Sequence, residues 1–211
     1  MRQAMTNEPI KYIQGRLGVD VDGVWGPKTK AAFDAAVPPR ASVADGDDFS
    51  RALAVILPFE GGWSDHRSDP GGATMKGITL ATFRDWRNNP NASKEALRNI
   101  PDAEVASIYE KNYWKASGAD AAPWPMSLMV LDCAINQGVS RAVKWSQEII
   151  GVDVDGKPGE KTRRALAVSG RDEALKLADR REKHYRSLST FPTFGRGWMN
   201  RLNHMRTIAR S

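Results

Sequence analysis

Two stretches of the chain, "QGRLGVDVDGVWGPKTKAAFDAAV" from Gln14 and "QEIIGVDVDGKPGEKTRRALAVSG" from Gln147, repeat each other at a constant offset of 133 residues, with "GVDVDG" identical in both. Each copy prescribes the same local structure. A helix runs to Gly18 or Gly151, where glycine can take the left-handed conformation that closes a helix. An Asp-Gly turn follows, and a second helix starts near Pro27 or Glu160. A calcium loop is the obvious alternative for "DVDG", and it fails. In the twelve-residue EF-hand frame with glycine at position six, position one falls on Gly18 or Gly151 and position twelve on Thr29 or Thr162, so neither end supplies a carboxylate. The aspartates are therefore expected to brace the turns.

Between and after the copies the periodicity is helical. Phe49, Ala52, Leu53, Ile56 and Leu57 recur at i, i+3, i+4 spacing, with Asp47 or Asp48 as the expected N-cap. Pro58 should disturb or end that helix, which puts Glu60 at or just beyond its C-terminus. Further helices are expected at about 79–88, 102–114, 126–137, 140–150, 160–168, 171–188 and 198–209. The segment "MSLMVLDCAIN" is apolar on most of its circumference, as a helix buried on several sides would be. Trp198, Leu202, Met205 and Ala209 form a stripe suited to core packing of a closing helix. Strand-like alternation is nearly absent, apart from room for a small hairpin in 61–78. The predicted class is mainly α, with an N-terminal module at 1–37, a Pro- and Ala-rich linker at 38–47 and a larger domain at 48–211.

Charge and cysteine usage limit the functional classes. The net charge is +6, and the basic excess is local. From Arg171 onward ten Arg or Lys face four Asp or Glu, while residues 1–170 hold 21 of each sign. Such a segment could meet nucleic acid, anionic lipid or anionic wall polymers. The lone Cys133 lies in an apolar run and reads as core. His66, His184 and His204 form no zinc pattern, so no metal or cofactor is expected. The longest apolar runs fall short of the roughly 18–20 residues that span a bilayer. The N-terminus lacks a signal-peptide apolar region, which predicts synthesis in the cytoplasm without an export signal of its own.

The chemistry is sought in "PFEGGWSDHRSDPGGAT". Glu60 precedes two glycines, Asp69 follows nine residues on, and Thr74 five beyond that. Glycosidic hydrolysis needs a protonated acid beside the leaving oxygen and a second polar group to manage water or positive charge on the sugar. Glycines between the two let the chain turn back and let a sugar approach backbone closely. Phe59 and Trp63 beside Glu60 favour partial desolvation, as for the catalytic glutamate of lysozyme, an acid kept protonated by an apolar pocket. Spacing alone favours a solvated helix-end glutamate and an Asp-Pro turn over this pair of catalytic groups.

"FEGGWSDHRSDPGGATMKGIT" resembles the signature of glycoside hydrolase family 108, N-acetylmuramidases found mostly as phage endolysins. The likeness continues through "IYEKNYW", "VLDCAINQG" and "FPTFGRGWMNRL", over about residues 48–210. Trp63 stands where the family usually has Tyr, and Met75-Lys76 where Asn with an apolar residue is common. The resemblance implies a lysozyme-like helical domain that cleaves the β-1,4 bond between N-acetylmuramic acid and N-acetylglucosamine. Glu60 would be the general acid. By analogy with the Glu-Asp-Thr triad of tailed-phage lysozymes, Asp69 would stabilise charge or hold water and Thr74 would position the water. Trp63, Asn136 and Gln137 are candidate sugar contacts, with helix capping an equal reading for the last two. The region from about 138 is similar to the family's peptidoglycan-binding-like part. The first copy resembles a three-helix peptidoglycan-binding module, with Tyr12, Gln14 and Trp25 as candidate wall contacts and Trp25 equally a core residue.

The partners expected from this reading are bacterial peptidoglycan and, through the basic segment, anionic outer-membrane polymers. A monomer that binds no nucleic acid is expected, made in a phage-infected cell and acting in the periplasm after release. Two rivals stay open: a lytic transglycosylase on the same bond, and a non-catalytic wall-binding virion protein.

Overall fold

The computed structural model describes residues 8–37, 45–65 and 72–211. The chain forms two compact units, Ser50–Asn112 and Met1–Phe49 with Tyr113–Ser211. Helices account for nearly all regular structure among the described residues, as the mainly α expectation requires.

In the smaller unit, helix α3 (Asp45–Glu60) enters with Ala52, Leu53 and Ile56 buried. Pro58 lies inside its last turn without ending it, and Glu60 is its final residue. The helix starts at Asp45, so the positions of Asp47 and Asp48, expected just before it, fall within its first turn. Strands β1 (Thr74–Met75) and β2 (Ile78–Thr79) pair antiparallel, and Ser64 bridges to Thr74 on the other side. Helices α4 (Leu80–Trp86), α5 (Lys94–Arg98) and α6 (Asp102–Tyr109) close the unit around Phe83, Leu97, Val105 and Ile108. Thr79 and Ser93 cap α4 and α5 by accepting from the amides of Thr82 and Ala96. The chain then passes into a π-helical turn, Glu110–Lys115.

The larger unit is built around α7 (Met126–Gln137), in which every residue from Met126 to Ala134 is buried. Helices α8 (Val139–Ile150) and α10 (Arg171–Ser187) pack on it, and α11 (Phe191–Arg210) packs on α10. Leu202, Met205 and Ala209 face the core as the stripe predicted. Helix α11 begins seven residues earlier than the periodicity indicates. Pro192 fits its first turn, and Gly195 leaves room for the Phe191 ring, which a Cβ would meet at 2.7 Å. At the centre, fully buried Asp132 accepts from Arg181 at 2.5 Å and from Arg201 at 2.7 Å. Two guanidiniums thus share one carboxylate out of water, where only close pairing offsets the loss of hydration.

The repeats take one design in both places. Helices α1 (Glu8–Leu17) and α8 end before Gly18 and Gly151, at φ 68° and 69°. Helices α2 (Pro27–Ala36) and α9 (Glu160–Ala167) start where expected. In the first copy the Gln14 amide donates to Asp22 (2.6 Å), the Val24 carbonyl (3.0 Å) and Thr29 (3.0 Å), and its oxygen accepts from the Gly23 amide (2.8 Å). Gln147 repeats each bond with Asp155, the Lys157 carbonyl, Thr162 and Gly156. The aspartates do brace the turns: Asp22 and Asp155 also accept from the backbone amides of Val24 and Lys157. The hydrogen bond from the glutamine holds each carboxyl below its ordinary pKa.

Candidate active site

Glu60 follows buried Ile56 by four residues and so shares the inward face of α3. Its carboxyl oxygen Oε1 is out of contact with solvent, while the neighbouring Phe59 is 39% exposed. Gly61, at φ 73°, ends the helix in the left-handed conformation and sends the chain towards the Ser64–Thr74 bridge.

The small sheet then returns to the same carboxyl. Its two strands are joined by Lys76 (φ 47°) and Gly77 (φ 74°), both left-handed, as a tight two-residue hairpin turn requires. Gly77 lies against Glu60: a Cβ there would stand 2.8 Å from Glu60 Oε2 and would also strike the Tyr109 hydroxyl. Tyr109, buried on α6, donates from that hydroxyl to the Lys76 carbonyl at 2.8 Å. The Lys76 ammonium pairs with Asp102 at the start of the same helix. Glu60, the hairpin turn and Tyr109 therefore form one packed cluster, in which the only residue that fits beside the carboxylate is glycine.

Thr74 is half-buried at the centre of the sheet. Its backbone pairs with Ser64 in both directions, at 2.8 and 2.9 Å, and its hydroxyl donates to the Gly72 carbonyl at 3.2 Å. Trp63 is half-buried with the Arg98 guanidinium 5.7 Å from its ring centre. Asp69 lies outside the described residues.

The model of the family Glycosyl hydrolase 108 matches residues 53–138, and that of a predicted peptidoglycan domain matches 141–203. The structure of Brucella abortus SagA is similar at 38% identity and a TM-score of 0.67, over 77% of this chain and 94% of that one. The chain belongs to the glycosyl hydrolase 108 family. It is therefore a lysozyme-like glycoside hydrolase acting on peptidoglycan. No curated protein gives a significant match.

Other predicted contacts of this hydrolase are already occupied. Asn136 is exposed and donates to the Asp132 carbonyl at 2.8 Å, bonding back one turn. Gln137 donates to the Tyr185 hydroxyl and accepts from Arg181 at 3.1 Å, which ties it to the buried Asp132 cluster. Gln14 is 1% exposed with its amide consumed by the turn, so its reading as a surface wall contact is corrected. Tyr12 also faces inward. Its hydroxyl is buried beside Glu173, and burial, reinforced by that carboxylate, raises its pKa well above the ordinary phenol value. Trp25 packs edge-on against Phe33 at 5.4 Å and lies under the Arg164 guanidinium of α9 at 4.9 Å. Arg16 donates to the Val168 carbonyl at 3.0 Å. The first repeat is thus docked on the second through Arg16 and Trp25, while Tyr12 meets Glu173 at the start of α10.

The residues packed around Glu60 that sequence reasoning missed are Gly77 and Tyr109. Both lie in motifs that carry the family resemblance, "MKGIT" and "IYEKNYW", and the turn-forming glycine after Lys76 was the available signal. The basic C-terminal segment is also less free than its composition implies. Arg180, Arg181, Arg186, Arg201 and Arg206 are all engaged in ion pairs.

Proposed function

We propose that this hydrolase is an N-acetylmuramidase that cleaves the β-1,4 bond between N-acetylmuramic acid and N-acetylglucosamine, with Glu60 as general acid. The observation that carries the reading is the Glu60 carboxylate, held at the end of α3 with one oxygen out of solvent and the other against Gly77. An acid so restrained can be delivered to a glycosidic oxygen without side-chain reorganisation. Asp69 and Thr74 would serve as the polar partners, stabilising positive charge on the sugar and positioning water. Trp63 and Asn136 would contact the glycan. We assign the chain to a phage endolysin with a wall-binding N-terminal module, made in the host cytoplasm and acting in the periplasm. Its remaining basic surface would be drawn to anionic envelope polymers.

Mass spectrometry of fragments released from purified peptidoglycan tests the reaction. Reducing N-acetylmuramic ends, lost in Glu60→Gln, are expected. Anhydro-muramic ends would assign the chain to lytic transglycosylation, and undiminished digestion by Glu60→Gln would remove Glu60 from the acid role.

A further inference from the structure

We propose that the two "DVDG" turns are twin binding sites for the peptide part of peptidoglycan. The assignment rests on peptidoglycan being the polymer bound and is independent of the role given to Glu60.

A cavity opens beside each turn, at the same place in both repeats. The first, of about 720 Å³, is lined by Val19, Asp20, Asp22, Gly26, Lys28 and Thr29 among others. The second, of about 190 Å³, is lined by the residues 133 positions further on, with the same residue type at each of those six positions. The frame of each cavity is rigid, because Asp22 with Thr29 and Asp155 with Thr162 are fixed by the buried glutamine. The mouth is not consumed in the same way. Lys161 and Asp153 stand 3.9 Å apart there and are each about two-thirds exposed, at 65% and 68%. Lys28 and Asp20 hold the equivalent positions, and both are exposed.

The tip of each turn is a valine directed outward, Val21 at 55% and Val154 at 49% exposure. A turn needs glycine and a short polar side chain, and it gains nothing locally from valine. One exposed valine would be unremarkable on any surface. The same one in both copies, beside the same cavity and the same lysine–aspartate pair, is a composite surface: a methyl-bearing tip flanked by one cation and one anion.

That composition selects among the parts of peptidoglycan. The glycan consists of N-acetylated sugars whose lactyl carboxyl is consumed by the amide to the peptide, so it offers little charge. Sugar rings are usually received on aromatic faces, and neither cavity lining contains an aromatic residue. Trp25 lies outside that lining, half-buried between Phe33 and Arg164, and the matching position in the second copy is Pro158. The peptide carries free carboxylates for Lys28 or Lys161, a free amine for Asp20 or Asp153, and alanine methyls for Val21 or Val154. Two such sites in one chain would hold a cross-linked wall by avidity, since the second contact forms at high effective concentration.

The test titrates the full-length protein with the soluble peptide L-Ala-γ-D-Glu-meso-diaminopimelate-D-Ala and, separately, with a neutral N-acetylglucosamine tetramer. Backbone amides are followed by NMR. The peptide is expected to shift amides at 19–29 and 152–162, and the tetramer to leave them in place. Val21→Asp should weaken the first site roughly tenfold, Val154→Asp the second, and the double variant both, as expected for losing a contact of about 1.4 kcal/mol. Melting temperatures near wild type would establish that the variants fold. Hydrolysis of a peptide-free glycan, measured in parallel, should persist in the double variant and vanish in Glu60→Gln, which separates this proposal from the catalytic one. The proposal is overturned if the peptide moves neither turn, if both valine variants bind it as wild type does, or if the neutral sugar moves the same amides.

Discussion

Replacing Gly77 by alanine tests the geometry around Glu60 directly. The added methyl meets two obstacles. The first is conformational: φ is 74°, a region in which an L-residue costs about 1–2 kcal/mol. The second is contact: the methyl would lie 2.8 Å from Glu60 Oε2 and closer still to the Tyr109 hydroxyl, so at least one must move, at about 1–3 kcal/mol for overpacking. Gly61→Ala is the matched control, because its φ is 73° and nothing lies within 4 Å of the place its methyl would take. Urea unfolding of both variants should show that Gly77→Ala loses more stability than Gly61→Ala by the contact part alone. Against a typical total of about 5–15 kcal/mol, Gly77→Ala should remain folded. Its hydrolytic rate on peptidoglycan should fall far more than its folded fraction does, by roughly a hundredfold, because a shift of about 1 Å in a catalytic group has that effect. Equal stability losses in the two variants, or wild-type turnover in Gly77→Ala, would refute the reasoning that glycine is required there to seat the acid.

Removing the shared carboxylate in Asp132→Ala leaves Arg181 and Arg201 without it in the core, and denaturant unfolding should report a loss of about 3–5 kcal/mol. Glu104 accepts a two-pronged bond from Arg87, at 2.8 and 2.6 Å, and that bond holds its carboxyl below the usual range. A lowered folded-state pKa means that the stabilisation is complete above the unfolded value of about 4.3 and is lost as pH falls through the folded one. Stability measured between pH 5 and about pH 2 should therefore drop less steeply in Arg87→Met than in wild type. Burial pushes the Cys133 thiol up to about 12, so thiol reagents should leave the native protein unmodified at pH 8 and react on unfolding.

Much of the fold was legible because its signals are local. Gly18 and Gly151 end helices at positive φ, and the limits of α7 fell where the apolar run and Gly138 put them. Glu60 does sit at a helix end, although Pro58, the residue expected to end the helix, lies inside its last turn and Gly61 is what closes it. The start of α11 was not legible, since the apolar stripe begins only at Trp198, while its first turns rest on Pro192 and on the Phe191 ring occupying the space that Gly195 leaves. Tyr12 and Trp25 show a second limit, Tyr12 having been read as a wall contact and Trp25 left open between wall contact and core. Aromatic residues on a small module look the same in sequence whether they face a wall or a neighbouring helix, and here the neighbours are Arg164 of the second repeat for Trp25 and Glu173 of α10 for Tyr12.

Caps, turns and periodicity are settled among residues a few positions apart, and they were enough for the helical class and the twin helix–turn–helix units; the candidate acid was singled out by the family resemblance of its motif, not by local pattern. What surrounds that acid and what neutralises the core depended on contacts between residues far apart in sequence. The Tyr109–Lys76 bond joins residues 33 apart, and the Asp132 bonds to Arg181 and Arg201 span 49 and 69. Such partners are chosen by how the chain closes on itself: a hydroxyl or guanidinium taken from water accepts whichever matching group the packing brings within reach, and no local pattern encodes which one that is.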